Sequence, residues 1–242
     1  MRHARWRRRP SRSIANVRPS NPSWQFLRGL ARRATAKKTV LTVTGQEHVP
    51  ANGSVLIAAR HYHHLYDGCA LFATIDRPTH VIVGLDWVKS GALSRVMKGL
   101  CQSARWPVVM RSSGDEIGHI RVFRQALRET TELLREGRVV VVFPEGYPNI
   151  DPHQTPKHGD EFLPFQAGFL KFARVAEAAG AGPVPIVPAG FSYRKLDGTG
   201  DNGGKEWAIR LVFGEPVSLR DFNDDRAACD AIEETVKRLS GV

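Results

Sequence analysis

Asp and Glu are absent from the first 38 residues of this 242-residue chain, a stretch that holds 12 Lys and Arg. The remaining 204 residues carry 23 basic against 24 acidic side chains, so the formal charge of +11 belongs to an N-terminal arm and not to the body. Cysteine is scarce and odd in number: Cys69, Cys101 and Cys229 lie far apart and match no metal-ligand spacing. That excludes a disulfide framework and predicts a reduced, intracellular protein. Long apolar runs are missing as well. The best of them, residues 55–59 and 139–143, fall far short of the ~20 residues that span a bilayer. No apolar core of a secretory signal marks the N-terminus. No Ser or Cys stands in an obvious nucleophile motif. The Gly- and Asp-rich stretch 198–204 lacks the Lys-Ser or Lys-Thr ending of a phosphate loop, so it reads as a hairpin turn.

What is present divides into three parts. Residues 1–21, rich in Arg, Pro and Ser, are expected to be a disordered basic arm. Residues 22–39 read as an amphipathic interfacial helix capped by Ser20 or Asn21, with Trp24, Leu27, Leu30 and Ala31 on one face and Phe26 at its edge. Arg28, Arg32 and Arg33 take the other side; the same pattern also fits a helix packed on the domain. Residues 40–242 make the folded domain. The arm attracts polyanions, and near an anionic membrane each basic residue contributes about 1 kcal/mol. The expected partner is a membrane surface with anionic lipids, not nucleic acid. The expected location is peripheral, at the cytoplasmic face.

Within the domain, short β-branched runs alternate with helical periodicity. Strands are expected at 40–44, 55–59, 81–83, 108–109, 138–143, 185–188, near Ser192, and at 209–213. Helices are expected at 65–73, 87–102, from the capping box 113–116 to Leu134, at 166–179 and at 226–239. The continuous run 138–143 is the mark of a strand buried on both faces. Such alternation predicts an α/β fold with a central mixed, largely parallel sheet flanked by helices.

Polar groups at the ends of parallel strands are where chemistry is sought first. The run Arg60-His-Tyr-His-His-Leu-Tyr-Asp67 puts His61, His63 and His64 close to one carboxylate. An imidazole takes a proton from a hydroxyl at neutral pH, and a carboxylate fixes its tautomer and stabilises the imidazolium. Without a Ser or Cys partner, the pair suits direct activation of a substrate hydroxyl. His63 stands four residues before Asp67 and shares a helix face with it, so it rivals His61. The same cluster admits another reading, a metal-dependent hydrolase using His61, His63, His64 and Asp67. Its His-x-His is similar to the metallo-β-lactamase motif, but Leu65 stands where that motif has Asp. A third reading is a non-enzymatic polyanion-binding protein driven by the arm. Glu145 and Gly146, directly after an apolar strand, are expected to face a cleft. The segment 184–190, with Pro185 and Pro188, reads as a weak or edge strand.

Four blocks in order carry a resemblance. Residues 43–61, ending in Arg60-His61, resemble the opening of the lysophospholipid (glycerol-phosphate) acyltransferase domain, where a strand ends in Asn-His. Residues 108–111 resemble its second block, closing on a functional Arg. Phe143-Pro144-Glu145-Gly146, with Phe165-Gln166-Ala167-Gly168 downstream, is similar to the third, and residues 184–190 to the Pro-rich fourth. The resemblance implies a 1-acyl-sn-glycerol-3-phosphate acyltransferase-like fold. It implies that His61 (or His63) is the general base, with Asp67 orienting it, and that no cofactor is needed. An acyl-CoA or acyl-carrier protein would be the acyl thioester donor, and a lysolipid the acceptor. Arg111, Phe143, Pro144, Glu145, Gly146, Gln166, Gly168 and Pro188 would bind substrate. Three departures stand out. One extra residue separates His61 from Asp67. Tyr147-Pro148-Asn149 replaces the usual Thr-Arg-Ser, and Gln166 replaces a frequent Lys. Lys157, His158, Lys171 and Arg194 are the cations available to compensate.

Overall fold

The structure, a computed structural model, describes residues 22–85, 91–109, 116–151, 155–197 and 204–242. The basic arm, Arg111, the capping box up to Asp115, the start of the helix expected from residue 87 and the stretch 198–203 lie outside the described residues.

Six strands form the main sheet: β1 (Thr39–Thr44), β2 (Val55–Ala59), β3 (Thr79–Val81), β6 (Val139–Val142), β7 (Ile186–Lys195) and β8 (Trp207–Phe213). A small separate pair is made by β4 (Val83–Gly84) and β5 (Val108–Val109). The order across the main sheet is β1-β8-β7-β2-β6-β3. Strands β7 and β8 run antiparallel and the other neighbours pair in parallel, so the sheet is mixed and largely parallel. Helices α1 (Pro22–Lys38), α2 (Tyr66–Thr74), α3 (Gly91–Ala104), α4 (Glu116–Arg135), α5 (Leu170–Ala178) and α6 (Asp225–Ser240) complete the fold.

Successive strand residues point to opposite faces, and β2 shows the consequence. Leu56 and Ala58 enter a core with Leu133 and Leu134 of α4, Phe172 of α5 and Ile232 of α6. Val55, Ile57 and Ala59 enter a second core with Ala31 of α1 and Leu71 and Phe72 of α2. Strands β2 and β6 are buried throughout. That explains why they read as unbroken apolar runs instead of alternating.

Two expectations change. The strand expected at 81–83 is split between β3 and β4, which belong to different sheets. Residues 186–188 and Ser192 belong to one interior strand, β7, so Pro188 is not at an edge. Alternate residues of a parallel strand bond opposite neighbours. Pro185 and Ala189 accept from β2 (Leu56 N at 3.1 Å, Arg60 N at 3.0 Å), while the Pro188 carbonyl faces away and accepts from Gly214 N at 2.8 Å. The missing N–H of Pro188 therefore removes no bond to β2. Gly190, two residues on, meets α6 so closely that a Cβ would lie 2.5 Å from the Leu239 carbonyl carbon.

Helix α1 packs on the domain. Arg28 pairs with Asp76 and stacks over Trp24 at 5.2 Å, and Arg32 donates to the Ala73 carbonyl at 3.2 Å. Phe26 and Leu30 remain turned outward, at 66% and 45% exposure.

Candidate functional site

Strand β2 delivers His61 two residues past its end, and α2 delivers Asp67 in its first turn. The His61 Nδ1 and Asp67 Oδ2 lie 2.9 Å apart. A carboxylate only accepts, so Nδ1 carries the hydrogen and Nε2 keeps a free lone pair. The ring stacks on Phe143 at 4.2 Å between centroids, which fixes its second plane of freedom.

Asp67 is completely buried. Its Oδ2 also accepts from the main-chain N–H groups of Tyr62 (2.7 Å) and His63 (2.9 Å), and its Oδ1 from the Tyr193 hydroxyl at 2.5 Å. Burial, followed by the neighbouring Asp67 charge, pushes the Tyr193 hydroxyl well above its ordinary pKa, so it stays a donor. The amides of Tyr62 and His63 reach Asp67 because a short turn at residues 64–65 leads directly into α2. Tyr193 escaped sequence reading, although a signal existed. It continues the inward series Val187, Ala189, Phe191 on β7, and a buried hydroxyl in an apolar row demands a partner.

His63 is set differently. Only its main chain bonds Asp67, the N–H donating to Oδ2 and the carbonyl accepting from Asp67 N at 3.4 Å; its ring Nδ1 accepts from Leu65 N at 3.2 Å and, more loosely, from Tyr66 N at 3.5 Å. The ring stacks on His64 at 4.7 Å. Burial lowers its pKa to about 4, with the neighbouring His64 adding to the effect. The expectation that the His63 ring shares a face with the Asp67 carboxylate is corrected. The Asp67 contact at the ring level goes to His61. Nor do the histidines converge as ligands: among the described residues, no group of three or more His, Cys, Asp or Glu is arranged to hold a metal ion.

A cavity of about 530 Å³ opens beside His61. Leu27, Leu30 and Ala34 of α1, Cys69 and Phe72 of α2, Val83 of β4 and Trp106 form its apolar wall, and His61, His64 and Asp151 supply its polar side. Burial raises the Cys69 thiol to about 11, so it is not a ready nucleophile. Phe143 and Gly146 line the same cavity. Gly146 adopts φ 78°, a conformation that favours glycine and leaves no Cβ in the way of a ligand. A smaller cavity of about 360 Å³ between α3 and α4 carries Lys98, Arg105 and Glu132 and none of the His61 cluster.

The remaining expected site residues divide. Glu145 does not face the cleft. Its carboxylate is 1% exposed and turns inward, with Oε1 accepting from His61 N at 2.7 Å and Oε2 from Lys157 Nζ at 2.6 Å and Leu163 N at 3.0 Å. Burial pushes the Glu145 carboxyl up and the Lys157 ammonium down, while each partner pulls the other back. Lys157 is accordingly not a free cation. Pro144 accepts from Gln166 N at 3.2 Å, and this bond ties the third block to its downstream segment. Gln166, Gly168 and Pro188 are not among the residues lining the cavity, and neither are His158, Lys171 and Arg194. At the position where the resemblance has Asn, Arg60 is 2% exposed; it donates to the carbonyls of Phe191 (3.2 Å) and Asp160 (2.8 Å).

A family model described as Acyltransferase matches residues 40–192. Among solved structures, the chain is similar to the crystal structure of the 1-acyl-sn-glycerophosphate (LPA) acyltransferase, PlsC, from Thermotoga maritima. The TM-score is 0.61 and the identity 21%, over 90% of this chain and 78% of that one, a likeness of fold. No curated protein matches the chain.

Proposed function

The chain belongs to the Acyltransferase family, whose model covers more than half of it, and we propose that it moves a fatty acyl chain from a thioester to a hydroxyl of a lysophospholipid-like acceptor, with His61 as general base. The observation that carries this reading is the His61–Asp67 pair opening on an apolar cavity of about 530 Å³.

The acceptor O–H donates to His61 Nε2. As its oxygen attacks the thioester carbonyl carbon, the proton passes to Nε2 and the imidazolium is stabilised by Asp67. The tetrahedral intermediate collapses with cleavage of the C–S bond, and the departing thiolate takes the proton back from His61. Ester and free thiol are the products, and no covalent enzyme intermediate forms. The apolar wall suits the acyl chain. Gly146 and Asp151 border the space left for the acceptor head. The donor is acyl-CoA or acyl-carrier protein, both of which present the same thioester.

The membrane surface fits this chemistry, because acceptor and product both partition there. No helix among the described residues is long and apolar enough to cross a membrane. Phe26 and Leu30 on α1 present an apolar edge, and Leu30 also lines the cavity, which links the outer surface to the site.

The test is an incubation of the chain with acyl-CoA or acyl-carrier protein and a panel of lysolipids, followed by lipid analysis. One or more lysolipids should gain a chain with release of one thiol per ester. Thiol release with free fatty acid and no ester on any acceptor would overturn the reading in favour of a thioesterase.

A further inference from the structure

The segment that carries His61 has lost its strand partners. Arg60 N makes the last ladder-type bond, to Ala189 O, and sheet-like bonding resumes only where Ile150 N donates to Tyr62 O at 2.7 Å. Between them the two main-chain polar groups of His61 are left for side chains to satisfy, because buried backbone groups do not go unpaired. The His61 N–H goes to Glu145 Oε1 at 2.7 Å, and the His61 carbonyl accepts from Lys157 Nζ at 2.8 Å. Glu145 and Lys157 bond each other at 2.6 Å, and neither side chain has exposed surface. A single buried ion pair therefore holds both sides of one peptide residue.

Lys157 belongs to none of the sequence blocks that carried the resemblance. Its three donors go to Glu145, His61 O and Asn149 Oδ1 (3.1 Å), and so all are used. Asn149 in turn donates to the carbonyls of Gly159 (2.9 Å) and Glu161 (2.8 Å), which ties the loop carrying Lys157 to the end of the Glu145 block. A buried ion pair is a costly way to stabilise a fold, since apolar packing often does as well. Here the pair holds His61 from both sides, with Leu163 N and Asn149 Oδ1 as its further partners.

We propose that Lys157 is a positioning residue for acyl transfer: by clamping the His61 main chain together with Glu145, it keeps the imidazole seated between Asp67 and Phe143. The proposal rests on the reading of His61 as base. A displacement of about 1 Å at a reacting group can cost roughly 100-fold in rate.

The experiment measures kcat and KM for donor and acceptor on the full chain, at a temperature where circular dichroism shows each variant folded. Lys157→Met should lower kcat about 30- to 100-fold and leave both KM values within about threefold. A second variant, Glu145→Gln with Lys157→Met, removes both charges and keeps an amide oxygen for the His61 N–H. It should recover thermal stability lost in the single variant and still run at least about tenfold slower than wild type, because the His61 carbonyl stays unheld. If the single variant fails to fold, the double variant decides. A folded variant with kcat within about threefold of wild type, or one changed only in KM, overturns the proposal. His61→Ala run in parallel separates the two failures. An active His61→Ala removes the reading of His61 together with the proposal, whereas an inactive one beside a fully active Lys157→Met removes the proposal alone.

Discussion

Asp67 meets the ring of His61 at 2.9 Å through Oδ2, and the same oxygen takes only a main-chain N–H from His63. The two histidines therefore separate by function of the ring. His61→Ala should lower kcat by about 100- to 10,000-fold, the usual contribution of a general base. His63→Ala should keep kcat within about tenfold of wild type and lose about 1–3 kcal/mol of stability, since its ring packs between His64 and Tyr66 and takes the Leu65 amide. Thiol release followed by a chromogenic reagent, together with urea unfolding, reads both. An inactive His63→Ala beside an active His61→Ala reverses the assignment.

Tyr193 supports the pair from behind. Tyr193→Phe leaves Asp67 Oδ1 buried without its 2.5 Å donor. The cost should be about 1–3 kcal/mol of stability. The rate should fall by less than about tenfold, since the three bonds to Oδ2 survive. Asp67→Asn should be worse in rate, by up to about 10,000-fold, because the amide invites the wrong imidazole tautomer. Equal rate losses in the two variants would contradict this division.

The reaction class was legible in the sequence because it is written in contiguous blocks. His61, Phe143 and Gly146 follow apolar strands, and strand ends are easy to locate from a β-branched run. The residues that hold the His61–Asp67 pair were harder to read. Lys157 and Tyr193 come from distant segments and reach it only through the tertiary fold, which local periodicity does not encode. Glu145 was misread for a related reason. A carboxylate after a strand looks like a cleft residue until the return of the chain at Lys157 shows what neutralises it. Pro188 was misread because proline in a strand suggests an edge, and which side of a parallel strand its nitrogen faces depends on register.

Gly190 closes the fourth block for a packing reason. A Cβ there would lie 2.5–2.6 Å from backbone and Cβ atoms of Leu239 and Ser240, so α6 would have to move off the sheet. Gly190→Ala should cost about 1–3 kcal/mol, the range for overpacking, with the activity of the molecules that remain folded little changed. A thermal melt and a rate normalised to folded protein check it. A variant as stable as wild type would show that α6 yields freely.

Two buried histidines set an acid limit on stability. Burial lowers His63 and His80 to about 4. The unfolded chain binds a proton at each near the ordinary value of 6.5, so between pH 6.5 and 4 it holds more protons than the native state and stability falls as pH falls. Each histidine contributes a slope of at most about 1.4 kcal/mol per pH unit in that window and nothing above it. Urea midpoints at pH 7.5, 6 and 5 should decline. His80→Gln, which removes a ring held by the Ala104 and Arg105 carbonyls, should flatten the decline. A slope identical in that variant would place the acid sensitivity elsewhere.

Phe26 and Leu30 stand one helical turn apart on α1, both turned outward, yet only Leu30 borders the cavity. The two positions therefore allow the proposed membrane docking to be tested apart from substrate binding. Arg28, paired with Asp76, and Arg32, bonded to the Ala73 carbonyl, hold α1 on α2, so its exposed apolar edge depends little on them for contact with lipid. Burying a Phe side chain is worth about 1.5–3 kcal/mol, which predicts that Phe26→Asp weakens binding to anionic vesicles roughly 10- to 100-fold. Its activity toward a short-chain, water-soluble acceptor should be unchanged. Leu30→Asp should weaken vesicle binding similarly and also raise KM for the long-chain donor, because the charge enters the cavity wall. Vesicle sedimentation and rates with soluble and vesicle-borne acceptors distinguish the two. Full vesicle binding by Phe26→Asp would move the docking surface away from α1.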